Sequence, residues 1–379
     1  MSTNYFNLTL ILFASFTFFL TNCDNKSKAI DVNYLKEGVL CTETIPLDFI
    51  DESGKIVSKY IDSVKFSYLD SITFTDNNPD RLKVYSTPAP LDFTKKIEPY
   101  SPEYYMAYTV FNIIKVIKYY NGLFDNKIDF NSQEEYKTIE VTIGDTPYLT
   151  SPKVYIFEAN SNPSPSLFFH EIGHRAFWYI EEGLGIKFKG LSYIHMGLLE
   201  YFTVSLNNSP LVGEDFLPEK GMRNADWVYG YPPYDSLSLK GLLDAIAASY
   251  PQKIQNPNSN VFKFYDVNMN AYKNYLDEID NHRGGMIITS TLWRIREQLG
   301  QEMTDGLVAR TILDLNKFMD TRSEFYNAAE NEKLRDKIEW YDLYYGLIQK
   351  DKDLNEGKGI EIIKNEFTRT GFLINVVKL

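Results

Sequence analysis

Two histidines and one glutamate stand at a spacing that is typical of a metal site. His170 and His174 lie four residues apart, so on a helix both imidazoles project from one face and can reach a single metal ion. Glu171 lies beside them, where its carboxylate can accept a proton from a metal-bound water. Neutral imidazoles suit Zn²⁺, and a catalytic zinc ion keeps one position open for water. The segment therefore predicts a zinc site. The alternative is a helix with two exposed or capping histidines.

A buried helix is predicted to carry this motif. Ser164 is a suitable N-cap and Pro165 suits the first turn, so the helix is expected over residues 165–182, with Gly183 as its C-terminal stop. Gly173 would permit the close approach of another backbone. Bulky apolar residues flank the motif and indicate burial. They are Leu167, Phe168, Phe169, Ile172, Phe177 and Trp178.

The other elements predict an α+β fold whose second half is mainly helical. Residues 24–100 mix short apolar runs with turn residues, which indicates strands or an irregular lead-in. Helical spacing of apolar residues begins at Ser101 and ends near Gly122. Two strands are predicted next, and helices follow the motif. The predicted strands are Thr138–Ile143 and Val154–Phe157, and the later helices are 191–206, 236–249, 284–299 and most of 303–350.

From about Tyr104 to Phe372 the chain resembles the thermolysin-type zinc peptidases, or gluzincins, and among them the fungalysin-like members. The zinc helix His170–His174 is its most specific part. The remaining pieces are similar to other family segments. They are Tyr104–Tyr120 for the lead-in helix, Lys153–Asn160 for the strand at the cleft edge, Gly197–Phe202 for the second zinc-site helix, Asp280–Gly285 for the segment that supplies a catalytic histidine, and Ile360–Gly371 for the last helix.

The resemblance implies a thermolysin-like arrangement, in which a mixed sheet lobe with the zinc-site helix is followed by a mainly helical lobe. We expect a signal peptide at 1–22, a strand-rich lead-in at 23–100, the sheet and zinc-helix lobe at 101–206 and the helical lobe at 207–379. The resemblance also implies metal-assisted hydrolysis of peptide or protein substrates. Glu171 would be the general base and His282 would stabilise the oxyanion. The alternative for His282 is a loop histidine that precedes a helix.

The chain departs from the family at the third zinc ligand. The family has a glutamate directly before the glycine of the second zinc-site helix, where this chain has Met196. Three possibilities follow: Glu200 is the ligand, His195 is the ligand, or the third ligand is absent. A thioether is a poor zinc ligand beside imidazole and carboxylate, so Met196 is not expected to bind. We predict that His170, His174 and Glu200 hold Zn²⁺.

A second function is compatible with this departure. The chain could be a surface lipoprotein that keeps the peptidase fold as a binding or structural module without turnover. Met196 favours that interpretation, whereas the complete motif favours the enzyme. The formal net charge of −12 argues against general attraction to nucleic acid or to anionic lipid headgroups. Two cysteines, Cys23 and Cys41, are too few for a disulfide scaffold.

The first 22 residues are typical of an export signal. They carry no charged side chain, and Leu8–Leu20 is an apolar run of 13 residues, which is short for a membrane span. Leu20-Thr21-Asn22-Cys23 resembles a bacterial lipobox, in which the cysteine becomes the lipidated first residue of the mature protein. We therefore expect export and a lipid anchor on Cys23. The alternatives are an ordinary secretory signal and a membrane anchor in which Cys23 is incidental.

Metabolic labelling with radioactive palmitate tests the anchor. The wild type should take up label, and Cys23→Ser should not, because the acceptor thiol is missing. Cys41→Ser is the matched control and should label like the wild type. Equal labelling of Cys23→Ser, or a cytoplasmic location of the wild type, would contradict the expectation.

Overall fold

The computed structural model describes residues 29–60, 63–74, 82–125, 128–129, 138–144, 154–158, 164–184, 193–213, 223–226, 281–319 and 340–370. Within these ranges the chain forms seven α-helices and eight β-strands, several of them short, so the fold is α+β. The predicted signal segment at 1–22, Cys23 and the predicted helix at 236–249 lie outside the described residues.

The strands form a hairpin, a four-stranded sheet and a small ribbon. In the hairpin, β1 (Ala29–Lys36) pairs antiparallel with β2 (Val39–Pro46), and Glu37 and Gly38 turn the chain with positive φ angles of 53° and 74°. The sheet has the order β4-β3-β5-β6. Its strands are β3 (Ser63–Phe74), β4 (Leu82–Pro88), β5 (Thr138–Gly144) and β6 (Val154–Glu158), and the ribbon pairs β7 (Leu211–Val212) with β8 (Arg223–Asn224).

The sheet is mixed, and β6 lies at its end. β3 pairs antiparallel with β4 and parallel with β5, and β5 pairs parallel with β6. Among the described strands, β6 therefore has a single neighbour, which agrees with its expected position at an edge.

The helices match the predicted ones to within a few residues where the structure describes them. Ser101 caps the first helix by accepting a hydrogen bond from the Tyr104 backbone N–H at 3.2 Å, and Ser164 Oγ accepts one from Ser166 N–H at the start of the second. The helices are α1 (Pro102–Leu123), α2 (Pro165–Leu184), α3 (Tyr193–Asn207), α4 (Asn281–Leu299), α5 (Gln301–Met319), α6 (Trp340–Asn355) and α7 (Ile360–Arg369).

An aromatic cluster packs α1, α2 and α3 together. The rings of Tyr120, Phe177 and Phe202 lie 5.6–5.9 Å apart in edge-on or tilted pairs, and all three side chains are buried. At Gly173, a Cβ atom would lie 2.5 Å from Leu199 Cδ1 and 3.0 Å from Tyr120 Oη. The glycine therefore admits two side chains, and the expectation that it admits another backbone was wrong.

Two glycines bring α3 and α4 into backbone contact. A Cβ atom on Gly197 would lie 2.6 Å from the Gly285 carbonyl oxygen, and one on Gly285 would lie 2.7 Å from the Gly197 nitrogen. Thr289 Oγ1 donates a hydrogen bond to the Gly197 carbonyl oxygen at 3.0 Å. The crossing fixes how α3 is placed against α4 because neither backbone can move closer or carry a side chain there.

Gly197→Ala should destabilise the fold by about 1–3 kcal/mol, the usual cost of overpacking a close contact. Gly306→Ala in α5 is the matched control, since its Cβ would meet nothing within 4 Å. The control should be neutral or stabilising by up to about 1 kcal/mol because alanine favours helix. Urea unfolding followed by circular dichroism measures both, and equal midpoints for the two variants would contradict the prediction.

A buried carboxylate ties α1, α3 and α5 together. Asp305 on α5 is 2% exposed and accepts hydrogen bonds from Tyr119 Oη at 2.8 Å, Tyr201 Oη at 2.6 Å and Ser205 Oγ at 2.7 Å. Burial and the nearby Asp305 carboxylate raise the pKa values of Tyr119 and Tyr201 well above 10.0, so both hydroxyls stay protonated donors. Since Tyr201 and Ser205 lie one turn apart, these bonds also fix the rotation of α3.

Asp305→Asn should cost about 2–4 kcal/mol, because one amide oxygen replaces a carboxylate that accepts from three hydroxyls. Asp314→Asn on the same helix is the control. Its pairs with Lys317 and Lys350 are more exposed and should contribute at most about 1 kcal/mol. Thermal and urea unfolding of the two variants supply the comparison, and a loss for Asp305→Asn no larger than that of the control would refute the assigned role.

Candidate metal centre

Helix α2 places His170, Glu171 and His174 on one turn in the protein interior. Their exposed fractions are 1%, 8% and 6%. The two imidazole rings lie 4.7 Å apart, centroid to centroid, at an interplanar angle of 84°. The alternative of two exposed histidines is therefore wrong. Burial of three polar side chains in one turn is unfavourable unless each finds a partner, and α3 supplies two of these partners.

The first partner from α3 is Glu200, which is fully buried. Its Oε2 atom lies 3.3 Å from His170 Nδ1, and its Oε1 atom lies 2.7 Å from Arg223 Nε on β8. The guanidinium offsets the cost of keeping the carboxylate charged away from water. Glu200 thus joins the metal motif to a cation that sequence reasoning did not find, since Arg223 belongs to no motif and lies 23 residues further along the chain.

The second partner from α3 is His195, which is also fully buried. Its Nε2 atom lies 3.3 Å from His174 Nδ1, and its Nδ1 atom lies 2.5 Å from Glu181 Oε1. Burial raises the pKa of Glu181, and the hydrogen bond with His195 acts in the opposite direction. Glu181 lies seven residues after His174, two turns along the same helix face, so its helical spacing was the signal that could have identified it.

The His174 ring has two ring neighbours. The Trp178 ring lies 5.6 Å from it at 30°, and the His195 ring lies 5.5 Å from it at 19°. Phe177 packs edge-on against His195, with 5.3 Å between the ring centroids. These contacts leave little room for the imidazole of His174 to rotate.

Met196, at the position where the resemblance implies a ligand, is 1% exposed. It lies one turn before Glu200, on the same side of α3. Among the described residues, no group of three or more His, Cys, Asp or Glu side chains meets the geometry of a metal site. Glu200 as third ligand stays a prediction. The donor types themselves fit zinc, because two buried imidazoles and a buried carboxylate lie side by side.

The structure describes the backbone at His282 but not its side chain. His282 lies in the first turn of α4, which begins at Asn281, earlier than the predicted residue 284. It therefore belongs to a helix and not to a loop that precedes one. The crossing at Gly197 and Gly285 places α4 directly against the helix that carries His195 and Glu200. Its role at the oxyanion stays a prediction.

No membrane-spanning segment is found among the described helices, none of which combines sufficient length with sufficient apolar character. No protein-family model matches the chain, and no curated protein matches it. The family resemblance therefore rests on the motifs quoted above.

Proposed function

We propose that this chain is a zinc-dependent peptidase with a thermolysin-like arrangement, exported and anchored through lipid on Cys23. The observation that carries the proposal is the buried turn of α2. Its two imidazoles, His170 and His174, meet edge to face with Glu171 between them in sequence, and the Glu200 carboxylate lies beside His170. Such a cluster is costly to bury, and a bound cation would explain why it is kept.

The zinc ion would be held by His170 and His174, with Glu200 as the proposed third ligand. When bound, zinc lowers the pKa of a coordinated water and polarises the scissile carbonyl. A metal site of this kind needs three protein ligands and one open position.

The protein's own groups would handle the proton and position the substrate. Glu171 would accept the proton from the attacking water and pass it to the leaving amine. The edge of β6 that no described strand occupies would hold an extended peptide by backbone hydrogen bonds. His282 would donate to the oxyanion, a role usually worth about 100-fold in rate.

Glu171→Gln should abolish turnover while leaving zinc bound, because the side chain moves a proton and is not a ligand. We expect a loss of at least about 100-fold in the hydrolysis of casein or of a peptide library. Glu182→Gln is the matched control, with the same change on the same helix at an exposed position. It should keep both activity and zinc.

Zinc content of the purified variants is measured beside activity. A Glu171→Gln protein with normal turnover would remove Glu171 from the chemistry. A variant that loses zinc together with activity would make Glu171 part of the metal site instead.

Ligation by Glu200 requires a change of partners. Its two oxygens contact His170 and Arg223, so binding a metal would replace or share one of these contacts. Met196 lies four residues away, about 6 Å along the helix axis. For Glu200 to reach the metal position that a ligand at 196 would serve, either its side chain must extend over that distance or α3 must shift slightly.

Zinc affinity in single variants tests the third ligand. Glu200→Ala should lower affinity by more than about 100-fold, beyond the roughly 10–100-fold that loss of an orienting partner costs. His195→Ala should stay within that smaller range, and Met196→Ala should change little.

The added variant Met196→Glu separates the two roles of Glu200. If Glu200 is already the ligand, a second acid one turn away should not tighten binding. A gain in affinity for Met196→Glu, together with a small loss for Glu200→Ala, would show that the wild type lacks a third protein ligand.

The second candidate is a non-catalytic surface lipoprotein that keeps the fold as a binding module. The observation that favours it is Met196, buried at the ligand position while Glu200 is engaged by Arg223. A wild type that binds no zinc and hydrolyses no peptide would select this function.

A further inference from the structure

We propose that Glu181 and His195 form a relay that fixes the tautomer of His174, so that His195 is a positioning residue and not a metal ligand. The purpose of the relay rests on the proposed zinc site. Its existence does not, because the contacts that carry it join the protein's own side chains. The three groups are consecutive: Glu181 Oε1 contacts His195 Nδ1, and His195 Nε2 contacts His174 Nδ1.

The acidic end of the relay sets the direction of both hydrogen bonds. In its ionised form the Glu181 carboxylate can only accept, so His195 Nδ1 then carries the proton that bonds to it. A neutral imidazole with a proton on Nδ1 has a lone pair on Nε2. His195 Nε2 therefore accepts from His174 Nδ1–H. The proton of His174 is thus placed on the nitrogen that faces α3.

This assignment leaves the lone pair of His174 on Nε2, the nitrogen through which it would bind a metal. A ligating histidine commonly donates its other N–H to an acceptor, which fixes the ring and strengthens its basicity. Here the acceptor is the imidazole of His195, which lies between Glu181 and His174 and contacts both. Both nitrogens of His195 are engaged in this way, which leaves it no donor atom for a metal.

Packing restrains the rings of the relay. The rings of His174 and His195 lie within 19° of parallel, the Trp178 ring lies 5.6 Å from His174, and Phe177 packs against His195. Glu181 is the most exposed member of the relay, with 15% of its side chain exposed, whereas His174 is 6% exposed and His195 is fully buried. A change at Glu181 is therefore the mildest way to interrupt the relay without opening a cavity.

Long-range ¹H–¹⁵N NMR on metal-free, ¹⁵N-histidine-labelled protein near pH 8 reads the tautomer directly. With four histidines in the chain, single-histidine deletions assign every ring. The wild type should show His174 protonated on Nδ1. His195→Leu and Glu181→Leu should convert His174 to a mixture of tautomers, whereas the exposed control Glu182→Leu should not.

A rescue variant separates positioning from mere packing. His195→Gln places an amide oxygen near the original Nε2 atom, so it should restore the Nδ1–H form of His174 that His195→Leu loses. Zinc affinity should follow the tautomer: a loss of about 10–100-fold in His195→Leu and recovery in His195→Gln.

Three outcomes would overturn the relay: a wild-type His174 protonated on Nε2, an unchanged tautomer in both His195→Leu and Glu181→Leu, or a zinc affinity that His195→Gln does not restore although its tautomer is restored. The last outcome would make His195 a ligand. A wild type that shows the predicted tautomer but binds no zinc would support the relay and refute the peptidase proposal, so the two failures are distinguishable.

Discussion

The burial of the His170–His174 turn is the constraint on which the arrangement of the helices depends. Imidazole and carboxylate groups lose favourable hydration when they leave water, and the loss must be offset by hydrogen bonds and opposite charges. Its neighbours on α2 are mainly apolar, and the polar contacts of His170 and His174 described above run to α3. Helix α3 must therefore approach closely enough for His195 to contact His174 and for Glu200 to contact His170. Glu200 in turn needs a cation, and Arg223 on β8 supplies it, so the short ribbon β7–β8 also contacts this polar cluster.

The remaining contacts of α3 fix its position along its own axis and its rotation about that axis. On the side toward α4, Gly197 and Gly285 allow the two backbones to touch. On the side toward α5, Asp305 binds the hydroxyls of Tyr201 and Ser205. An error of one residue in either contact would rotate α3 by about 100° and turn Glu200 away from His170. The polar cluster and the packing contacts therefore specify the same placement of this helix, and this mutual support is what a single well-defined structure requires.

Sequence reasoning found most of the local structure and only part of the site. The helix at 165–182 was predicted because Ser164, Pro165 and Gly183 are local signals, and the observed helix is Pro165–Leu184. The three motif residues were found because their spacing is also local. Arg223 could not be found this way, because its contact with Glu200 joins elements that meet only after folding. Helical spacing places Glu181 on the face of the motif, but its contact with His195 on the next helix also depends on folding. The same reason explains Gly173, where the neighbours are Leu199 and Tyr120 from two other helices and not a backbone.

Charge would favour the proposed cation site even though Met196 supplies no carboxylate. Glu171 belongs to the motif turn of α2, Glu200 lies beside that turn, and Arg223 is a guanidinium in contact with Glu200. In the proposed site a cation would lie near these carboxyl groups in the protein interior, where attraction between unlike charges is stronger than in water. The imidazoles of His170 and His174 would offer nitrogen lone pairs, which suit a metal of the zinc type. A carboxylate at position 196 would strengthen the attraction, and with methionine there Glu200 is the one carboxylate on α3 that could contribute to it.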